Sequence, residues 1–274
     1  MIQVEVSTRP NPVTTGITHV VLPAFNEERS LPALFERLAR FRASPAANFT
    51  VAPDHDVVVW VVDDGSSDGT SALAKKGAAG LDVRLVLHPR NLGLGQAVHS
   101  GLRAVLEVAH DDDVIVVMDA DDTHDVSLIH SLRQGIAAGA DVAIASRFVS
   151  GGSDLTAPPF RRLLSRGAST IFRVALPLDG IRDFTSGYRA YRVSLLRRAL
   201  GHYGERLIEE SGFACMVELL LKLRYCNPEI VETPLVLRYD RKVTPSKLRL
   251  RRTLVQYLVL LLRDRLTPPP FRGL

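Results

Sequence analysis

Cysteine is nearly absent from this 274-residue chain, which has only Cys215 and Cys226. With no second pair and no histidine at ligand spacing, neither a disulfide framework nor a zinc site is indicated, and a reducing cytoplasm is the expected compartment. Long apolar runs are missing too. The most apolar stretch, Leu254-Val-Gln-Tyr-Leu-Val-Leu-Leu-Leu262, is far short of the roughly 20 residues that cross a bilayer. Met1 to Gly16 contains Glu5 and two prolines but no basic segment followed by an apolar run, so a loose tail is expected there rather than a signal peptide. Charge of one sign is also modest. A formal net charge of +4 and a pI near 9.3 permit an anionic substrate or membrane surface without demanding nucleic acid. No internal repeat or low-complexity segment is present.

What the chain does have is apolar residues, 46% of the total, enough to bury the core of one large domain, with two domains as the alternative. These fall into short runs that alternate with helical patterns. Thr18 onward predicts a strand that breaks at Pro23, then a helix over Ser30–Arg42 with Leu31, Leu34, Phe35 and Leu38 on one face. Asp56 to Val62 predicts a second strand, Thr70–Ala79 a helix, and Val83–His88 a third strand. A further helix runs through Val98, Leu102, Val105 and Leu106. Asn91-Leu-Gly-Leu-Gly95 precedes it and reads as a tight turn with close packing, phosphate contact being the alternative. Val114–Met118 predicts a buried central strand, followed by a helix over Val126–Ala138 and a strand over Val142–Ala145. This alternation implies a doubly wound, mostly parallel sheet.

In such sheets ligands sit beyond the carboxyl ends of the strands. Four of these strands end in Asn26-Glu27, Asp63-Asp64, Asp119-Ala-Asp121 and Arg147. If strand geometry persists to Asp121, Asp119 and Asp121 point to the same side. Two carboxylates there suit Mg²⁺ or Mn²⁺, which favour hard oxygen ligands and are commonly shared with a nucleotide's phosphates. The alternative is an acidic loop after a strand.

The second half is more basic. A helix is expected over Phe160–Val174 with Arg161, Arg162, Arg166 and Arg173, then a polar turn at Asp183-Phe-Thr-Ser-Gly-Tyr-Arg189. A helix containing Met216, Val217, Leu220 and Leu223, and a strand over Ile230–Leu237, follow. The last helix, Lys247–Leu266, surrounds its short apolar centre with six cations. It reads as an amphipathic helix able to lie in a membrane interface, with core packing or dimerisation as the alternative.

Together, Leu22-Pro-Ala-Phe-Asn-Glu27, Val62-Asp-Asp-Gly-Ser-Ser-Asp68, Asn91–Gly95, Asp119-Ala-Asp-Asp-Thr-His124, Ser146-Arg-Phe-Val149, Asp183–Arg189 and Ser246-Lys247 resemble a family 2 glycosyltransferase of the GT-A fold, most closely its polyprenyl (dolichyl) phosphate mannosyltransferase branch. The resemblance runs from about Thr18 to Lys247. It implies a flexible tail over 1–16, a catalytic domain over 17–246 and a basic C-terminal helix and tail over 247–274. It also implies that Pro23, Phe25, Glu27, Val62, Asp64 and Ala120 contact the nucleotide-sugar donor. Asp119 and Asp121 would meet the metal and diphosphate, Arg241 and Lys247 would clamp the diphosphate, and Arg147, Arg161 and Ser165 would hold the acceptor phosphate.

Two departures stand out. Thr123 occupies the position where the branch often has a glutamine metal ligand, and Thr244-Pro245 replaces the glycine expected before Ser-Lys. The transmembrane helices of some relatives are absent.

The expected activity is a metal-dependent inverting transfer of a hexose, mannose or glucose, from a nucleotide sugar to a polyprenyl phosphate by a peripheral protein of the inner membrane face. An ionised phosphate acceptor needs no general base. A hydroxyl acceptor would, and Asp183, Glu209 and Glu210 are then the candidates, although Asp183 reads better as a turn former. The rivals are a nucleotidyltransferase and a non-catalytic nucleotide-binding module. The first should carry a Gly- and Lys-rich phosphate loop near Val20–Glu28, and none is there.

Overall fold

The computed structural model describes residues 16–43, 56–154, 156–175, 178, 180–241 and 250–266. Seven strands form one sheet: β1 (Thr18–Ala24), β2 (Val57–Asp63), β3 (Asp82–Leu87), β4 (Val114–Val117), β5 (Val142–Ser146), β6 (Arg189–Arg192) and β7 (Ile230–Pro234). Their order is β3-β2-β1-β4-β6-β5-β7. Only β6 runs antiparallel to its neighbours. The α/β, mostly parallel architecture expected from the alternating pattern is therefore the observed one.

The central strands are continuous apolar runs because helices cover both faces. Along β1 the side chains alternate: Val21 enters one buried cluster with Val62, Ile115 and Leu102, while Val20 and Leu22 enter the other with Val59, Val116 and Leu34. The first cluster is closed by α3 (Leu94–Leu106), α6 (Val193–Tyr203) and α7 (Cys215–Leu223). The second is closed by α1 (Leu31–Ala43) and α4 (Leu128–Ala137).

Several elements differ from expectation. β1 runs through Pro23 instead of breaking there. The Val21 carbonyl accepts from Met118 N at 3.1 Å and the Ala24 carbonyl from Asp64 N at 2.8 Å, so the odd-numbered residues of β1 face β4. The ladder to β4 ends before Pro23, with β4 running only to Val117, as a residue that cannot donate a backbone hydrogen bond requires. The early end of β4 also means that strand alternation does not place Asp119 and Asp121. They lie in a loop that turns at Asp122, with φ at 61°. Helix α2 (Thr70–Lys76) stops short of Ala79, at Gly77 with φ at 64°. No helix is expected over Val193–Tyr203, yet α6 forms there and buries Val193, Leu196, Ala199 and Tyr203 on one face; β6 begins at Arg189, the last residue of the expected turn.

Two basic helices complete the molecule, α5 (Pro159–Ala175) and α8 (Leu250–Leu266). Leu260 of α8 is buried, and Tyr257 meets Phe172 of α5 edge to face at 5.0 Å. Arg263 donates to Oε1 of the buried Glu218 at 2.8 Å. Both helices also show apolar residues to solvent: Phe160, Leu163, Ile171 and Val174 on α5, and Leu254, Val255, Leu258, Val259 and Leu262 on α8. Among the described residues, no helix is long and apolar enough to cross a membrane.

Candidate active site

The loops after β1 and β2 are laced together. Asn26 N donates to Ser66 Oγ at 2.8 Å, Asn26 Oδ1 accepts from Ser67 N at 2.9 Å, and Glu27 N donates to Thr70 Oγ1 at 2.9 Å. Buried Glu27 accepts from Ser30 Oγ at 2.9 Å. Asn26 adopts φ 52°, a conformation asparagine tolerates better than most residues. Of the residues expected to meet the donor, Pro23 and Phe25 are half-buried, whereas Val62 and Ala120 lie within the core.

Asp64 is also buried, and its carboxylate is well supplied with donors. Oδ1 accepts from Leu92 N at 2.8 Å and Oδ2 from Gly93 N at 2.8 Å, and His88 Nδ1 lies 2.7 Å from Oδ1. It therefore shapes the turn that opens α3. The two glycines of that turn serve packing: a Cβ at Gly95 would stand 1.7 Å from the Glu210 carbonyl oxygen, and one at Gly93 would stand 2.4 Å from that of Ser211.

The loop after β4 carries Asp119 and Asp121. The Asp119 side chain is 38% exposed. Its backbone N meets His124 Nδ1 at 3.3 Å, and the His124 ring stacks on Tyr188 at 4.8 Å. Asp121 Oδ1 accepts from Thr123 N at 3.2 Å and Thr123 Oγ1 at 2.7 Å, so the threonine hydroxyl is spent on orienting Asp121. Arg37 forks onto Asp122, with Nε to Oδ1 at 2.7 Å, which holds the positive-φ turn. Among the described residues, no group of three or more His, Cys, Asp or Glu could hold a metal by itself. Two carboxylates supplemented by phosphate and water oxygens nevertheless fit a hard divalent cation.

Neighbouring segments converge on this loop. The Thr123 carbonyl accepts from Arg238 N at 3.0 Å, and Arg241 N donates to the Arg238 carbonyl at 3.0 Å, so the turn ending in Arg241 is tied to the loop through Arg238. Gly187 lies alongside, where a Cβ would be 3.7 Å from Asp119 Oδ1. Lys247 and the Thr244-Pro245 departure lie outside the described residues, as does the 1–15 part of the expected tail.

Arg147, just after β5, sits in a largely buried fork. Its Nε and Nη2 donate to Asp183 Oδ2 and Oδ1 at 2.8 and 2.7 Å, and Nη2 also donates to Thr185 Oγ1 at 2.7 Å. Thr185 Oγ1 is 3.4 Å from Ser165 Oγ, so Arg147 and Ser165 do come together. Arg161 is one helical turn before Ser165 on α5, and its side chain is outside the described part.

The candidate bases separate. Burial alone would raise the pKa of Asp183, but the Arg147 charge and its hydrogen bonds outweigh this and hold it below the usual range. Asp183 is fully buried and accepts from Thr185 N and Ser186 N at 3.2 and 3.1 Å, which is the turn-forming role. Burial likewise opposes ionisation of Glu209, but hydrogen bonding and charge from Lys222 hold it down. Only Glu210 is pushed up, by burial and then by the Glu218 charge, and it accepts from Gln256 Nε2 of α8 at 2.9 Å. The sequence reading missed Thr185, His124 and Arg37 as supports. Thr185 and His124 lie inside quoted motifs, whereas Arg37 had no local signal.

The chain is similar to known proteins over most of its length. A profile described as Glycosyl transferase family 2 matches residues 19–200. A polyprenol monophosphomannose synthase from Mycolicibacterium smegmatis is 34% identical over 85% of the chain and 82% of its own length. An undecaprenyl-phosphate mannosyltransferase from Micrococcus luteus is also 34% identical, over 83% and 86%. A dolichol-phosphate mannosyltransferase from Pyrococcus furiosus is 33% identical over 87% of the chain, which spans 61% of that protein. Among solved structures, glucosyl-3-phosphoglycerate synthase from Mycobacterium tuberculosis, in a complex with Mn²⁺, UDP and glucosyl-3-phosphoglycerate, superposes with a TM-score of 0.61 at 17% identity, covering 91% and 80% of the two chains.

Proposed function

The chain belongs to glycosyl transferase family 2 and is a glycosyltransferase of GT-A fold, and from that premise we propose that it transfers a hexose, mannose or glucose, from a nucleotide sugar to a polyprenyl phosphate with inversion. The observation that carries the reading is the meeting, at the carboxyl edge of one sheet, of the Asp119–Asp121 loop with the segments bearing Arg241 and the Asp183–Tyr188 turn. Relatives named for polyprenol, undecaprenyl and dolichol phosphates support the acceptor class.

In this reading Pro23 and Phe25 border the nucleotide, with Glu27 and Asp64 fixing the shape of its pocket. Asp119 and Asp121 would hold Mg²⁺ or Mn²⁺, whose charge would offset that of the departing diphosphate. Thr123 orients Asp121. Arg241, which has no ion pair among the described residues, and Lys247 stabilise the leaving group, since arginine forks and ammonium groups both bind phosphate oxygens well. Arg161 and Ser165 hold the acceptor phosphate, and Arg147 positions Ser165 through Thr185. The acceptor oxygen is ionised and attacks the anomeric carbon directly, so burial of Asp183 leaves the chemistry without a deficit. Residues 17–246 form the catalytic unit, and the exposed apolar residues of α5 and α8, flanked by arginines, would rest at the inner face of the cell membrane.

The test offers a panel of nucleotide sugars with Mg²⁺, Mn²⁺ or a chelator, and either a short polyprenyl phosphate or the corresponding polyprenol. Transfer to the phosphate with loss on chelation is expected. Transfer to the alcohol instead, or full activity in chelator, would overturn the acceptor or metal assignment respectively.

A further inference from the structure

Helix α5 carries a second constellation that the proposed chemistry does not use. Arg166, Ser169, Thr170 and Arg173 recur at spacings of three, four and seven and so share one face of the helix. With Phe148 and Arg182 they line a cleft of about 370 Å³. Arg166 donates to Asp154 Oδ1 at 2.9 Å, which neutralises it. Arg173 and Arg182 are exposed and have no carboxylate partner among the described residues. Glu232, a further acid among the described residues, accepts from the backbone N of Arg182 at 3.0 Å, so it meets the amide of that residue rather than its guanidinium.

A second observation is independent of charge. Ser169 is only 4% exposed, lines the cleft, and its Oγ has no hydrogen-bond partner. Native structures rarely leave a buried hydroxyl unsatisfied, and such a group calls for a partner. Two unpaired guanidinium groups and one unpaired hydroxyl form the donor set of an oxyanion site, because arginine forks match tetrahedral phosphate oxygens and a hydroxyl adds one more donor. The site is separate from the Arg147–Thr185–Ser165 group, since Ser169 lies one turn along α5, roughly 6 Å away.

We propose that this cleft is a second phosphate-binding subsite, taking the oxyanion of a phosphate ester beside the acceptor position. Exposed Ile171 and Val174 on the same helix make a lipid head group one source of that phosphate, and free phosphate the other.

The experiment uses the full chain. Inorganic phosphate binding is followed by calorimetry in the unaltered protein and in Arg161→Gln, so that the neighbouring acceptor position is accounted for. Sedimentation with phosphatidylcholine vesicles, with and without phosphatidic acid, is measured in parallel. The double change Arg173→Gln/Arg182→Gln is compared with Lys75→Gln/Arg198→Gln, which removes equal charge from exposed positions outside α5 and α8. Loss of charged hydrogen bonds predicts at least a tenfold weaker affinity for the first pair only, and Ser169→Ala should also weaken binding while melting no lower. Loss of vesicle and phosphate binding together assigns a lipid head group; loss of inorganic phosphate binding alone assigns a free phosphate. Equal effects of the two double changes, or no phosphate or vesicle binding by the unaltered protein, would overturn the proposal.

Discussion

Arg147 and Asp183, 36 residues apart in sequence, form a two-pronged ion pair at 2.7 and 2.8 Å, with the carboxylate fully buried and the guanidinium 14% exposed. Removing one member of a buried pair strands the other charge, which costs about 3–5 kcal/mol, whereas replacing both with apolar groups is often nearly neutral. Arg147→Ala is therefore expected to lower the urea midpoint sharply, and Arg147→Met/Asp183→Leu to recover most of the loss. A stable Arg147→Ala protein that merely uses acceptor poorly would make the arginine a phosphate ligand first and a brace second.

Arg161 provides the cleaner acceptor test, since it lies one helical turn before Ser165 along α5. Arg161→Ala should raise KM for the polyprenyl phosphate by about tenfold or more while leaving nucleotide-sugar affinity unchanged. An equal loss of both affinities would reassign it.

Asp121→Asn keeps an oxygen that can accept from Thr123 N and Oγ1 but removes the charge a cation needs. The melting temperature should hold within the error of a surface change while metal-stimulated turnover disappears. Metal-dependent turnover surviving in the folded variant would count against Asp121 as a ligand.

Two glycine changes should have opposite signs. Gly201, in α6, has nothing within 4 Å of where a Cβ would sit, so Gly201→Ala should stabilise by about 0.5–1 kcal/mol. Gly95→Ala would drive a methyl into the Glu210 carbonyl and should destabilise by more than that. Matching denaturation curves for the two variants would contradict the close packing.

Acid should weaken the fold through two buried histidines. Burial lowers the pKa of His19 from 6.5, against the opposing influence of Asp113, and burial lowers that of His99 against the Gly204 carbonyl. The unfolded chain then binds more protons than the native one below about pH 6.5, so this stability is fully present above that pH and is lost as pH falls. Urea titrations between about pH 8 and about pH 5 should show the decline, and His19→Gln/His99→Gln should flatten it.

The order of elements was legible in the chain because a buried parallel strand must be a continuous apolar run, and a covering helix must repeat at 3.6. Val57–Asp63 and Leu94–Leu106 meet those demands with local residues alone. The carboxylates and arginine at the strand ends were visible for the same reason, since polarity has to return where a buried strand stops. Only the tertiary structure decided what those groups hold on to. Asp64 turned out to bind the backbone of Leu92 and Gly93, Asp122 to bind Arg37, and Arg147 to bind Asp183, through contacts across 28 to 85 residues. Sequence records that a charge is present, but whether it is spent inside the protein or left for a ligand depends on which distant partner the fold delivers to within about 3 Å.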